Sequence, residues 1–132
     1  MALLRRVLYL DALREAVVGV ALLGFPGTLL IELFDQPPYG DYAFVRILGL
    51  ASLVLAMLMV LVGHRVQEVW WWSWAFVVLE VGRAGLASLN ALIGLPPGAG
   101  ALVWWLNAGV SWLFAAGFLW GLARAGAEKP PP

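Results

Sequence analysis

The stretch FVVLEVGRAGLA, residues 76–87, places a Glu and an Arg three positions apart in an otherwise apolar segment. At about 100° per residue, one helical stripe runs through this segment and its flanks and consists mainly of small and polar residues: Ser73, Phe76, Glu80, Arg83, Ala84, Ala87, Asn90 and Ala91. A charged side chain facing lipid at the bilayer centre costs about 2.5–3.5 kcal/mol. The i, i+3 spacing lets Glu80 and Arg83 touch. We therefore predict that they face the protein interior as a mutually compensating pair.

The composition around this stretch is that of a membrane protein. The chain has 132 residues, of which 63% are hydrophobic and 12% are charged, whereas about a quarter of a soluble domain is charged. The formal net charge is zero, so charge predicts no nucleic-acid partner. The absence of cysteine excludes disulfides, thiolate metal sites and cysteine nucleophiles.

Four apolar runs cover most of the chain. They lie at about residues 16–34, 43–63, 69–94 and 101–123. Each is near the roughly 20 residues that a spanning helix needs, and the short connections between them force neighbouring helices to be antiparallel. We predict an all-α fold, a membrane-spanning antiparallel four-helix bundle over residues 1–124, followed by a disordered cytoplasmic tail over 125–132. The first ten residues fit either a short interfacial helix or an extension of helix one.

The basic residues are distributed unevenly among the connections. Those outside the runs lie before the first run, between the second and third, and after the fourth: Arg5, Arg6, Arg14, Arg65, Arg124 and Lys129. The Pro-Pro connections DQPPYGD (35–41) and GLPPGAG (94–100) contain no Lys or Arg. The positive-inside rule then predicts a multi-pass protein with both termini in the cytoplasm.

Further polar residues lie within the other runs. Glu32 is near the outer end of helix one, and Arg46 is near the outer end of helix two, in line with Leu50, Leu53, Met57, Val60 and His64. Asn107 lies on a helix-four stripe with Trp104, Ser111, Phe114, Phe118 and Gly121. We predict that one intramembrane cluster lines the bundle interior: Glu80, Arg83, Asn90, Asn107, Arg46 and Glu32. Such a cluster is either a pocket for a small molecule, a lipid head group or protons, or a structural network that fixes helix register.

Other site chemistry is poorly supported. His64 and Glu68 have the i, i+4 spacing of a metal pair, but there is no second histidine and no thiol to complete a ligand shell. We expect no metal, no cofactor and no catalytic residue.

Three short motifs resemble those of small four-helix bacterial integral membrane proteins of the DoxX-like kind. They are GFPG (24–27) in helix one, VRILG (45–49) at the start of helix two and WWLNAG (104–109) in helix four. The resemblance implies a four-helix protein of the bacterial inner membrane. Many members of such families have no assigned activity, so the resemblance implies no catalytic residues.

The predicted function follows from the cluster and the lipid solvent. We expect a protein without enzymatic activity, either a membrane-complex subunit or a binder of a lipid-like or small hydrophobic ligand. The alternatives are a small transporter or proton-coupled carrier using Glu80 and Arg83, and an enzyme acting on a membrane-dissolved substrate. The expected partners are the lipid bilayer and either a second copy of the chain or a larger membrane complex.

Overall fold

The computed structural model describes residues 1–129, and within that range the chain is helical with no strand. Its long helices are α1 (Ala2–Gly24), α2 (Ala43–His64), α3 (Val66–Gly94) and α4 (Leu102–Glu128). α3 contains a 3₁₀ turn at Trp70–Ser73 and a π turn at Asn90–Gly94. The predicted all-α class is confirmed.

Three helices in the described range are long and apolar enough to cross a membrane. They are α2, α3 and α4, with 22, 29 and 27 residues. α1 is also long, but it carries Asp11, Arg14 and Glu15 near its middle and is not in this set. The membrane character predicted from composition is compatible with these three helices, since each is long and apolar enough to span a bilayer.

The first helix begins much earlier than predicted. α1 starts at Ala2 rather than near residue 16, so the N-terminal segment is an extension of helix one and not a separate interfacial helix. Leu4 and Leu8 are fully buried, so the early turns are stabilised by apolar packing. α1 ends at Gly24, because Phe25 leaves helical geometry directly before Pro26, and a π turn over Thr28–Leu33 follows.

The last helix continues beyond its predicted end. α4 reaches Glu128, so the prediction of a disordered tail from residue 125 is wrong for its helical part. Ala125 is buried, Glu128 pairs with the Met1 amine at 2.7 Å, and Lys129 Nζ donates to the Gln67 carbonyl at 2.8 Å. These contacts hold the final turn against the rest of the protein. Residues 130–132 of the predicted tail lie outside the described residues.

α1 and α2 approach each other through glycine. A Cβ added to Gly19 would lie 2.8 Å from the Gly49 carbonyl oxygen, and one added to Gly49 would lie 2.9 Å from the Gly19 oxygen. The buried face of α2 is accordingly a set of mainly small residues, comprising Gly49, Ser52, Ala56, Met59, Val62 and Gly63. The line predicted to carry Arg46 inward is largely exposed instead. Small residues allow close backbone approach, and this decides which face of α2 is buried.

α4 packs against both α1 and α3. A Cβ on Gly121 would lie 3.0 Å from the Leu4 Cα, so α1 crosses α4 at this glycine. On the other side, the Phe76 ring of α3 stacks on the Phe118 ring of α4, with centroids 6.0 Å apart. Leu8, Phe76 and Phe118 belong to one hydrophobic core, and we call these three residues the apolar layer.

Hydrogen bonds group the connections at two ends of the molecule. At one end the buried Gln36 donates to the carbonyls of Phe34 and Gly100 and accepts from Trp104 Nε1, which joins the two Pro-Pro connections. At the other end Arg5 Nε donates to the Gly63 carbonyl, close to the turn between α2 and α3. The contacts of Met1 and Lys129 lie at this second end as well.

Candidate functional site

Five charged side chains meet between α1 and α3. The charged cluster consists of Asp11, Arg14 and Glu15 from α1 with Glu80 and Arg83 from α3. Helical spacing of three and four residues puts each set on one face of its helix. Asp11 and Glu80 are completely buried, and Glu15 is nearly so. The cluster lies next to the apolar layer, since Leu8 and Phe76 are one turn before Asp11 and Glu80.

Arg14 is the centre of the cluster. Its Nη1 donates to Oε2 of Glu80 at 3.0 Å, and its Nη2 donates to Oε1 of the same residue at 2.7 Å. Nη2 also donates to Oε1 of Glu15 at 2.8 Å. The guanidinium lies 4.8 Å from the centre of the Phe114 ring, and Nη1 lies 3.5 Å from the buried Ser111 hydroxyl of α4. The two parallel hydrogen bonds from Arg14 to Glu80 are the strong, bidentate form of the arginine–carboxylate contact.

Arg83 repeats the arrangement in the opposite direction across the helix pair. Both of its terminal nitrogens donate to Glu15 of α1. Its Nη1 also lies 3.1 Å from Oε1 of Glu80, so the predicted Glu80–Arg83 contact is present. That contact is secondary, because each of the two residues makes two hydrogen bonds to a residue of α1, Glu80 with Arg14 and Arg83 with Glu15. The pair predicted within one helix is therefore part of a network that joins two helices.

Asp11 differs from the other carboxylates. Its Oδ1 lies 2.7 Å from Arg14 Nη2, yet neither of its oxygens accepts a hydrogen bond from any of residues 1–129. The reason is geometric, since Nη2 has two N–H groups and directs them at Glu15 and Glu80. Asp11 thus gains charge attraction without a hydrogen bond. The cluster as a whole holds three carboxylates against two guanidiniums.

The network is costly to assemble and costly to break. Removing charges from water costs several kcal/mol per ion, and a well-packed apolar replacement of a buried ion pair is often as stable. Deleting one partner, however, leaves an uncompensated charge and costs about 3–5 kcal/mol. Three buried carboxylates and two half-buried arginines in one place therefore indicate more than a need for stability.

The structure joins only two of the six predicted site residues. Glu80 and Arg83 are in the cluster, whereas Glu32, Arg46 and Asn107 are exposed and Asn90 is half-buried. The prediction that all six line one interior is corrected accordingly. Glu32 lies on the π turn that follows the end of α1. Arg46 is exposed on α2, outside the set of residues that this helix buries. Asn107 is exposed on α4, directly before the buried Ala108.

The residues missed from the sequence are Asp11, Arg14 and Glu15. A helix one that starts near residue 16 leaves them in a cytoplasmic flank, where Arg14 serves only as a positive charge for the orientation rule. A signal was present, because Leu4, Leu8, Asp11 and Glu15 recur at helical spacing. Extending the helix to the N-terminus would have put these acids on the same buried face as the leucines.

The three carboxylates come close enough to suggest a metal. One oxygen from each of Asp11, Glu15 and Glu80 lies within 4.8 Å of the others. However, Arg14 and Arg83 donate to all four oxygens of Glu15 and Glu80. Their positive charges fill the space that a divalent ion would need, and such ions require several free oxygen ligands. The donor set therefore fits a metal poorly.

The histidine pair considered from the sequence lies outside this region. His64 and Glu68 are both exposed, and Glu68 pairs with Arg65 at 2.9 Å.

The surface also carries two open apolar grooves of about 400 Å³ beside α1, one of them lined in part by Tyr9, Leu13 and Met57. Apart from Tyr9, the residues that line the two grooves are apolar.

Fold and site together define a helical protein with three helices suited to a membrane and a buried cluster of five charges. The chain matches no family model, and no curated protein or solved structure is similar to it.

Proposed function

We propose that the chain is a multi-pass protein of the bacterial inner membrane, an antiparallel four-helix bundle with both termini in the cytoplasm. α1 would be the fourth spanning helix, with its charged residues turned toward α3 and away from lipid. Support comes from Arg5, Arg65 and Lys129, which lie at the end of the molecule that holds both termini. The joined Pro-Pro connections at the other end have no basic residue.

Its role is to bind the polar part of a lipid-like or small hydrophobic molecule through the charged cluster, without enzymatic activity. The observation that carries this proposal is the meeting of three buried carboxylates with two half-buried arginines where apolar residues would be about as stable. Ionisable groups within membrane segments are rare and mark sites of binding or transfer. The side chains of Arg14 and Arg83 keep 17% and 26% of their surface exposed, so a ligand can reach the cluster without unfolding it.

Two alternatives make different use of the same cluster. A membrane-complex subunit would offer it, with the apolar exterior, to a partner protein. A small proton-coupled carrier using Glu80 and Arg83 is favoured by one specific observation, the excess of one carboxylate over the guanidiniums. An enzyme is supported least, because the oxygens of Glu15 and Glu80 are engaged in hydrogen bonds from the two arginines and are not free to act on a substrate.

Native mass spectrometry of the protein released from mild detergent tests the proposed role. We expect a bound lipid or small molecule on the wild-type chain, reduced at least tenfold in occupancy by Glu80→Gln and unchanged by Glu68→Gln. Glu68 is the matched control, since it is an exposed, ion-paired glutamate. A bare chain would contradict ligand binding, and a stoichiometric protein partner would favour the subunit alternative.

A further inference from the structure

Asp11 is a buried acid without a hydrogen-bond donor. Its side chain has no exposed surface, and both oxygens lack a hydrogen bond from the described residues. Polar groups removed from water are costly unless they are paired, and buried side-chain oxygens nearly always have a partner. A carboxylate that is buried without a hydrogen-bond donor is costly to keep charged, so such a group is held more readily in its neutral, protonated form.

The charges facing Asp11 leave one negative charge over. From its own helix come Arg14 and Glu15, and from α3 come Glu80 and Arg83. The buried faces of α2 and α4 hold no ionisable side chain. With every group ionised, the cluster therefore carries a net charge of −1. One bound proton makes it neutral.

Among the three carboxylates, Asp11 is the one with room for that proton. All four oxygens of Glu15 and Glu80 already accept N–H groups from arginine, so neither carboxylate has an oxygen without a donor. Both oxygens of Asp11 are free to carry hydrogen. Protonated, Asp11 would lose its negative charge while its Oδ1 stays 2.7 Å from Arg14 Nη2.

We propose that Asp11 is the proton-binding residue of the charged cluster, taking one proton from solvent to form a neutral carboxylic acid. The inference goes beyond the proposed ligand binding, because it names a proton as the cation that the cluster itself holds. Glu15 and Glu80 accept the hydrogen bonds of the two arginines and hold them in place. The buried side chains of the apolar layer lie on the side of the cluster toward Met1.

Infrared spectroscopy tests this assignment on the full chain in an ester-free detergent. At neutral pH the wild type should show the carbonyl stretch of a protonated carboxylic acid, displaced in D₂O. Asp11→Asn should lower that band to baseline, and Glu68→Gln should leave it unchanged. Absence of the band from folded wild type, or its survival in Asp11→Asn, would overturn the proposal.

Two further arms keep the test decisive. If Asp11→Asn does not fold, Asp11→Glu replaces it, and the band should shift in frequency with the new side chain; an unshifted band would overturn the assignment. Titration with sodium chloride should leave the wild-type band intact, whereas its loss would identify a metal cation as the occupant instead. Ligand occupancy measured by mass spectrometry on the same samples separates the two claims. A missing band with ligand retained contradicts only the proton assignment, and a present band without ligand contradicts only the binding role.

Discussion

Arg14 on α1 and Glu80 on α3 are joined by two hydrogen bonds of 3.0 and 2.7 Å, although 66 positions separate them in the chain. The contact lies beside the apolar layer and ties the two helices together at the depth of the cluster. Arg14 also contacts Asp11 and Glu15 of its own helix, and Glu80 also contacts Arg83 of its own helix. Their pairing is therefore the part of the cluster on which the relation of α1 to α3 depends most.

The second ion pair between α1 and α3, formed by Glu15 and Arg83, should contribute less to the free energy of unfolding than the Arg14–Glu80 pair. Arg14→Met is expected to destabilise the protein by about 3–5 kcal/mol, the range for breaking a buried pair, and Arg83→Met by about half as much. Arg83 contacts two carboxylates and is more exposed, whereas Arg14 contacts three. Chemical unfolding of both variants in detergent measures the difference. A loss for Arg83→Met equal to or greater than that for Arg14→Met would contradict this ranking.

The glycine contact between α1 and α2 should tolerate no side chain. Gly49→Ala places a methyl group 2.9 Å from the Gly19 carbonyl oxygen, and overpacking of this kind costs about 1–3 kcal/mol. Gly82→Ala is the matched control, because nothing lies within 4 Å of the added Cβ and alanine is the better helix former. Thermal unfolding should therefore show a lower Tm for Gly49→Ala and an equal or higher Tm for Gly82→Ala. Equal Tm values for the two variants would count against the close approach of α1 and α2.

Much of the fold could be predicted from hydropathy, because a spanning helix leaves a long apolar signal that local sequence cannot hide. α2 and α3 begin and end within three residues of their predicted bounds. The start of α1 could not be predicted in this way, because its charged residues interrupt the apolar run. Their burial becomes understandable only when Glu80 and Arg83 on another helix supply the opposite charges.

The candidate site was predicted in part for the same reason. A stripe of small and polar residues on α3 correctly put Glu80 inside, since one helix determines its own faces. The largely apolar stripe that contains Arg46 favours an inward position for that residue. The buried face of α2 instead contains Gly49 and Ser52, whose low hydropathy gives no such signal. Which stripe is buried depends on the neighbouring helix, and no single-helix pattern contains that information.

The proposed topology can be tested by cysteine labelling, since the chain has no cysteine of its own. Cysteine at Gly40, an exposed site in the first Pro-Pro connection with open space around it, should react with an impermeant thiol reagent in intact cells. Cysteine at Gln67, exposed at the other end, should react only after the membrane is opened. Labelling of Gln67→Cys from outside would reverse the proposed orientation.

The most direct test of the central claim, that α1 and α3 are joined through a buried charged cluster, is a double-mutant cycle on Arg14 and Glu80. Each of Arg14→Met and Glu80→Gln should cost about 3–5 kcal/mol in the free energy of unfolding, because each leaves the other charge without its main partner. The double variant should recover part of that loss, with a coupling of at least about 1 kcal/mol. The exposed Arg65–Glu68 pair, changed in the same way, should show coupling near zero. Single losses that simply add in the Arg14–Glu80 double variant would contradict the account.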